Sequence, residues 1–282
     1  MKIIEYPDGT SYVKVPDYGV NNEFVFKTNS YKDLWHLNQL VDAWNHCYNK
    51  MPTIKIPNLI DAQADRRFSD WESSGLKLVC NFLNNMKARF KIFHPHNPEV
   101  VEALINKVEI IDNSKFIIKV LHELNPDYIR FSKPFISDEL ILMSPDAGGF
   151  KSLMKLCDKI EWDGRTDSAS KYRSYNVDTN KSSLIQKLDT QDFGSKDILI
   201  IDDICVYGGT FKGLAKLLKK RNCGKIYLAV SHMTIQNHKD SELFDLFDIV
   251  FTTNSKFDNY YVPSKNGNGG YQPENLKIIK MF

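Results

Sequence analysis

Short runs of β-branched and aromatic residues alternate along the chain with amphipathic stretches. Seven runs have the composition of buried strands and lie at 23–27, 53–56, 90–93, 140–143, 198–201, 225–230 and 249–252. Stretches with helical spacing predict helices at 31–47, 75–84, 98–106, 149–159, 209–221 and 241–244. Continuous apolar strands that alternate with helices are typical of parallel sheets covered by helices. The pattern therefore predicts an α/β fold.

Two segments interrupt this alternation. Prolines and polar residues at 126–138 predict a boundary between a domain at 1–132 and a domain at 133–282, and the length of 282 residues agrees with about two domains of ~150 residues. From 161 to 196 the chain is rich in Ser, Asp, Asn, Thr and Lys and shows little periodicity. A polar stretch of this length inside an α/β domain indicates a mobile functional loop or an insertion.

Composition and charge exclude several classes of protein. Hydrophobic residues make up 42% and charged residues 26%, and 37 basic against 35 acidic residues give a net charge of +2, so no overall field favours nucleic acid or an anionic membrane. No apolar run approaches the ~20 residues of a membrane span, and the first residues lack the apolar core of a signal peptide. We therefore expect a cytoplasmic protein whose partners are small molecules.

Cysteine usage agrees with a reducing compartment. The chain has five cysteines, an odd number, and none forms a Cys-x-x-Cys pair. This spacing argues against a disulfide framework and against a thiolate zinc site. The cysteines are Cys47, Cys80, Cys157, Cys205 and Cys223.

The most specific motif follows the apolar run at 198–201. It reads Asp202-Asp203-Ile204-Cys205-Val206-Tyr207-Gly208-Gly209-Thr210 and leads into a predicted helix. The glycines let the backbone approach a ligand, and the helix N-terminus presents N–H groups to an anion. Carboxylates beside such a turn suit sugar hydroxyls or a magnesium-bound diphosphate. A Gly-Gly turn alone would be only a turn, whereas the complete string indicates a sugar-phosphate site.

This segment resembles the phosphoribosyl-diphosphate loop shared by type I phosphoribosyltransferases and ribose-phosphate diphosphokinases. Five further motifs resemble elements of the diphosphokinases. Residues 6–9 resemble their Phe-x-Asp-Gly element, residues 56–57 with 62–67 their ATP-site strand and loop, and residues 94–97 their histidine-bearing loop. Residues 143–149 resemble their Ser-Pro-Asp-x-Gly-Gly element, and residues 171–173 resemble their Lys-x-Arg element. Residues 231–232 and 253–255 are similar to C-terminal markers of that family. The chain thus resembles a divergent member of the ribose-phosphate diphosphokinase (PRPP synthetase) family from Tyr6 to Ser255.

The resemblance implies two similar type I phosphoribosyltransferase-like domains, each a mainly parallel sheet flanked by helices, with the ATP site on the N-terminal one. It implies transfer of the β,γ-diphosphate of Mg-ATP to the anomeric hydroxyl of a 5-phosphoribosyl substrate, release of AMP, and a homo-oligomer. The residues it implies are Lys171, Arg173 and His96 for catalysis, Gln63, Asp65, Arg66 and Asp8 for ATP, His96 and Asp146 for Mg²⁺, and Asp202, Asp203, Val206, Tyr207, Gly208, Gly209 and Thr210 for the sugar phosphate.

Each residue also has a plainer interpretation. His96 could cap the helix that begins near Pro98, and Asp146 could be an ordinary turn carboxylate. Lys171 and Arg173 could be solvated charges, and Asp65 with Arg66 could form a surface pair that contributes little to stability.

The departures from the family pattern concern substrate choice. Val206-Tyr207 replace an Asp-Thr pair that helps to hold a terminal 5-phosphate, and Gln63 stands where an arginine is usual. An apolar group and an aromatic ring suit a 5-phosphate that carries a nucleoside extension. ADP-ribose fits this description and would give ADP-ribose 1-diphosphate, onto which nicotinamide could be placed to rebuild NAD. Ribose 5-phosphate remains the other acceptor, and a type I phosphoribosyltransferase or a catalytically silent regulatory paralogue are the alternative functions.

Overall fold

The chain folds around two separate parallel sheets. A computed structural model describes residues 1–15, 22–67, 69–125, 138–176, 181–235, 242–260, 262–263 and 270–282. Its contacts divide the chain into a first unit, Met1–Asp112 with Phe282, and a second unit, Asn113–Met281. Within these ranges, no helix combines the length and the apolar character needed to span a bilayer.

The first unit contains a four-stranded sheet in the order β3-β4-β5-β6, with every neighbouring pair parallel. An antiparallel hairpin of β1 and β2 precedes it. The strands are β1 Lys2–Glu5, β2 Ser11–Lys14, β3 Glu23–Val25, β4 Thr53–Ile56, β5 Arg89–Phe93 and β6 Val108–Ile111. The helices are α1 Tyr31–Tyr48, α2 Gly75–Asn84 and α3 Pro98–Leu104.

Helix α1 shows how the sequence sets these elements. Ser30 and Asp33 form a capping box, in which each side chain accepts a hydrogen bond from the other residue's backbone N–H. The helix ends where Asn49 adopts the left-handed conformation. Leu37, Leu40 and Trp44 recur at helical spacing, are buried, and pack into one core with the apolar residues of β4, β5 and α2.

The second unit contains a six-stranded parallel sheet in the order β16-β13-β12-β11-β7-β8. Its strands are β7 Leu140–Ser144, β8 Thr166–Ser168, β11 Asp197–Cys205, β12 Ile226–Met233, β13 Ile249–Thr253 and β16 Leu276–Ile279. Antiparallel pairs are formed by β9 Ser170–Asn176 with β10 Lys181–Lys187, and by β14 Val262–Pro263 with β15 Gly270–Tyr271. Its helices are α4 Ser114–Leu124, α5 Ala147–Ile160, α6 Gly209–Lys219 and α7 Glu242–Leu246.

The α/β fold with mainly parallel sheets is confirmed, and each predicted strand and helix overlaps one in the structure. The polar segment at 161–196 is not irregular throughout, because part of it forms β8 and the antiparallel pair of β9 and β10, which we call the hairpin. Buried Ala169 and Leu188 flank the paired strands and fix its base in the core. The contacts divide the chain after Asp112, whereas the predicted boundary at 132/133 lies outside the described residues and stays a prediction.

Candidate active site

The predicted sugar-phosphate motif lies on β11 and the turn that follows it. Asp202 and Asp203 lie within β11 rather than after it, because pairing with β12 continues through Cys205 and Met233. Residues 206–210, which we call the phosphate loop, lead into α6, and Gly208 precedes its first residue with φ 70°. A residue with a Cβ is strained in this left-handed conformation, so glycine suits this position in the turn before α6.

Two adjacent carboxylates, those of Asp202 and Asp203, dominate the electrostatics of this edge of the sheet. Burial raises the pKa of Asp202 well above its usual range, and the adjacent Asp203 carboxylate adds to the effect. The Asp203 N–H donates a hydrogen bond of 2.9 Å to Asp202 Oδ1, which partly offsets it. A half-buried carboxylate of this kind is suited to accept hydrogen bonds from donors such as sugar hydroxyls.

Asp146 is held in its ionised form at the start of α5. Its Oδ1 accepts a hydrogen bond of 3.0 Å from the Gly149 N–H, and its Oδ2 lies 3.1 Å from Lys171 Nζ. Burial acts in the opposite direction, but these contacts keep the pKa of Asp146 below its usual range. A Cβ on Gly149 would lie 2.7 Å from Ser144 Oγ, so this turn requires glycine. The plain interpretation of Asp146 is therefore true in part, because the carboxylate is the N-cap of α5.

The hairpin brings one predicted catalytic cation to this carboxylate. Lys171 lies on β9 and reaches Asp146 across 25 positions of sequence. Asp146 also contributes to the raised pKa of Asp202, so Lys171, Asp146 and Asp202 lie in one electrostatic environment of the second unit. Arg173 lies on β9 opposite Leu184, and its side chain is outside the described part of the structure.

The predicted ATP-site loop and histidine loop of the first unit touch each other. Asn97 Nδ2 donates a hydrogen bond of 3.2 Å to Asp65 Oδ2, and Arg66 Nε lies 3.5 Å from Asp65 Oδ1. The Asp65 side chain is only 7% exposed while that of Arg66 is 72% exposed, so the pair presents its cation to the surface. Gln63 and His96 are exposed as well. The cap of α3 is Asn97, whose side chain accepts from the Val100 N–H, so the interpretation of His96 as the cap is wrong.

Asp8 lies in a different part of the first unit, in the turn between β1 and β2. Its Oδ1 accepts hydrogen bonds from the N–H and the hydroxyl of Thr10 at 2.9 and 2.7 Å. These bonds lower its pKa. Thr10 therefore orders the Asp8 turn locally, and Asp8 as an ATP ligand stays a prediction.

The donor set suits magnesium only in combination with phosphate oxygens. Across the described ranges, no three His, Cys, Asp or Glu side chains gather as a metal site. Mg²⁺ is commonly bound through one or two carboxylates together with the substrate's phosphates. Asp146 in the second unit has the hard oxygen ligands that this mode requires, although its ion pair with Lys171 would compete with the metal.

Sequence reasoning missed two contributors to these loops. Asn97 carries a readable signal, because an N-cap residue followed by proline at the first helical position is a typical helix start. Gln186 carries none: it lies in a polar strand, yet its side chain bonds the phosphate loop at the Thr210 carbonyl.

Comparisons with known proteins place this geometry in a family. The model of the phosphoribosyl transferase domain matches residues 100–265. The chain is 23% identical to a ribose-phosphate pyrophosphokinase of Sulfurisphaera tokodaii, over 89% of this chain and 82% of that protein. It is 24% identical to one of Thermococcus kodakarensis, over 99% of this chain and 91% of that protein.

A solved structure agrees with the fold over nearly the whole chain. The phosphoribosylpyrophosphate synthetase of Mycobacterium smegmatis superposes with a TM-score of 0.71 at 17% identity, over 99% of this chain and 85% of that one. This likeness confirms the predicted type I phosphoribosyltransferase-like fold. The chain therefore belongs to the phosphoribosyl transferase domain family, and within it the chain is similar over most of its length to ribose-phosphate pyrophosphokinases.

Proposed function

We propose that the protein transfers the β,γ-diphosphate of Mg-ATP to the anomeric hydroxyl of a 5-phosphoribosyl compound. The observation that carries the proposal is the arrangement in the second unit: a phosphate loop after two carboxylates, with Lys171 held 3.1 Å from Asp146 beside them. The pyrophosphokinase relatives align over most of the chain, which supports this reaction over others of the fold.

In the proposed reaction the anomeric oxygen attacks the β-phosphorus of ATP. The bond from that phosphorus to the oxygen of the α-phosphate breaks, AMP leaves, and the hydroxyl proton is lost. Negative charge spreads over the transferred group, so positioned cations stabilise the transition state. We assign this role to Lys171 and Arg173, with His96 as the catalytic imidazole of the first unit. Asp146 is the proposed magnesium ligand of the second unit and His96 that of the first, and bound magnesium would neutralise phosphate charge.

The carboxylates and the loop have separate tasks in this proposal. Asp202 and Asp203 would accept hydrogen bonds from the pentose hydroxyls, and these bonds would favour the ionised form of Asp202. The backbone of Gly208, Gly209 and Thr210 would hold the 5-phosphate at the N-terminus of α6. Gln63, Asp65, Arg66 and Asp8 remain the proposed ATP contacts.

The acceptor is either ADP-ribose or ribose 5-phosphate, and two side chains of the phosphate loop favour ADP-ribose. The Tyr207 ring is 71% exposed, so its face is available to stack on a nucleoside. Val206 brings no charge or hydroxyl to a terminal phosphate. An esterified 5-phosphate requires less charge compensation than a terminal dianion, and an aromatic platform adds about 1–3 kcal/mol per stacked base.

Product analysis with ATP, magnesium and a panel of acceptors tests the proposal. We expect AMP release together with a sugar 1-diphosphate, and a higher kcat/KM with ADP-ribose than with ribose 5-phosphate. Val206→Asp with Tyr207→Thr should shift the preference toward ribose 5-phosphate. The matched control is Lys216→Ala, on an exposed turn of α6 where Lys216 pairs with Glu242. A wide preference of the native protein for ribose 5-phosphate would rule out ADP-ribose as the preferred acceptor. An unchanged preference in the double variant would show that positions 206 and 207 do not determine the acceptor.

The same assay separates the alternative functions. A type I phosphoribosyltransferase would consume an activated donor and release diphosphate without releasing AMP from ATP. A regulatory paralogue would bind ATP and form no AMP with any acceptor in the panel.

A further inference from the structure

Gln186 connects the hairpin to the phosphate loop. It lies on β10, directly opposite Lys171 on β9. Its Nε2 donates a hydrogen bond of 3.0 Å to the carbonyl oxygen of Thr210, in the first turn of α6. Residues that face each other in an antiparallel pair project to the same side, so Lys171 and Gln186 reach from one side of the hairpin to two different loops.

Helix α6 is shaped to receive the Gln186 side chain. Gly213 lies one turn after Gly209, and a Cβ at this position would overlap Gln186 Oε1. The space beside Gly213 is therefore occupied by the amide that bonds Thr210. A side chain at position 213 would displace the amide at small cost to the fold, because only the end of a flexible side chain has to move.

We infer that Gln186 is a positioning residue that holds Lys171 in place by fixing the base of the hairpin to the phosphate loop. Lys171 binds Asp146 at the start of α5, and Gln186 binds Thr210 at the start of α6. The pair of strands is thus held at two points, one on each loop that the proposed function uses. A sugar phosphate bound at the phosphate loop would act through Thr210 and Gln186 on the catalytic lysine.

Amide hydrogen exchange tests the anchoring without any assumption about the reaction. Gln186→Ala should speed exchange of the β9 and β10 amides at least about threefold, and Gly213→Ala should do the same by displacing the glutamine. The matched control is Gln191→Ala, since Gln191 is exposed and donates instead to the Asp189 carbonyl. Unchanged exchange in both test variants would overturn the inference.

Steady-state kinetics test the link to Lys171, and this part rests on the proposed function. Gln186→Ala should lower kcat about tenfold, the effect of one positioning hydrogen bond, with the KM for ATP little changed. In a Lys171→Ala background the same change should cost less than about twofold, because its effect passes through the lysine. Gly213→Ala should lower kcat in the native background and add nothing to Gln186→Ala.

The outcomes separate this inference from the proposed function. If the native protein releases no AMP but the two variants speed exchange of the hairpin amides, the proposed function fails and the anchor stands. If the native protein forms a sugar 1-diphosphate and Gln186→Ala lowers kcat equally with and without Lys171, the glutamine acts independently and its positioning role is refuted.

Discussion

Replacing Lys171 with alanine separates a catalytic role from a structural one, because the loss of stability expected from the structure is much smaller than the loss of turnover expected for a catalytic residue. The Lys171 and Asp146 side chains are 35% and 30% exposed. Ion pairs of this exposure contribute about 0.2–1 kcal/mol to stability. Asp146 keeps its hydrogen bond from Gly149 in the variant, so no charge is left unsatisfied. We expect the melting temperature to fall by less than about 4 °C.

Catalysis should respond far more strongly. Removing one donor that contacts developing charge in a transition state commonly lowers kcat by about 10² to 10³, which corresponds to about 3–4 kcal/mol. That cost exceeds the largest stability loss expected for the pair. Lys171→Arg keeps a cation on β9 and should retain part of the activity, although its planar group is not equivalent to an ammonium.

The assay is AMP release from ATP under saturating acceptor, accompanied by thermal melts of each variant. Lys216→Ala is the matched control, because Lys216 also pairs with one exposed carboxylate, Glu242, at 2.7 Å. The control should lose a similar amount of stability and no turnover. A Lys171→Ala protein that is folded and turns over within about threefold of the native rate would refute the assignment of Lys171 to the transferred group.

Three further predictions concern stability and thiol chemistry. Asp202→Asn should raise the melting temperature at pH 7.5 by about 3 °C for each kcal/mol gained. Burial and the Asp203 carboxylate raise the pKa of Asp202 in the folded protein, so the native protein loses stability as pH rises through that pKa. The difference in melting temperature between the variant and the native protein should therefore vanish below about pH 4. Melts that show the same difference at every pH would contradict this explanation. Gly208→Ala should lower the free energy of unfolding by about 1 kcal/mol or more in denaturant titrations, because φ is 70° at this position. An unchanged unfolding midpoint would show that this position does not require glycine. Burial raises the pKa of Cys80 to about 11, so iodoacetamide at pH 8 should label exposed Cys47 and leave Cys80 unlabelled until the protein is unfolded, as mass spectrometry would show.

The central strands could be predicted because their sequences allow few other structures. The runs at 140–143 and 198–201 are continuously apolar and buried, and such runs are typical of the interior of a covered sheet. The hairpin could not be predicted this way, since its strands are polar and lie outside the main sheet. The C-terminal end of β11 could not be predicted from the apolar run either, because pairing with β12 continues beyond the apolar residues. Helix α4 was not among the predicted helices, although its buried residues Phe116, Ile117, Val120 and Leu121 have helical spacing.

The sequence motifs predicted which residues matter in the site but not what they touch. Lys171 and Asp146 stand 25 positions apart, and their ion pair depends on where the hairpin folds. The bond from Asn97 to Asp65 spans 32 positions, and a motif search treats the two loops as independent. Contacts of this kind arise from the tertiary fold, because spacing in sequence fixes neighbours only within one helix turn or one strand pair.

The opposite surroundings of Asp146 and Asp202 explain how one sheet edge can serve both partners of a diphosphate transfer. Asp146 is held ionised by Gly149 and Lys171, whereas burial favours the neutral form of Asp202. In the proposed function, pentose hydroxyls would donate to Asp202 and Asp203 and favour the charged forms of these carboxylates, so sugar binding would relieve an electrostatic cost that the fold carries by itself. A ligand that binds only the folded protein stabilises it by RT ln(1 + [L]/Kd). It follows that the acceptor should raise the melting temperature of the native protein, and that Asp202→Asn should lose most of this gain while being the more stable protein alone.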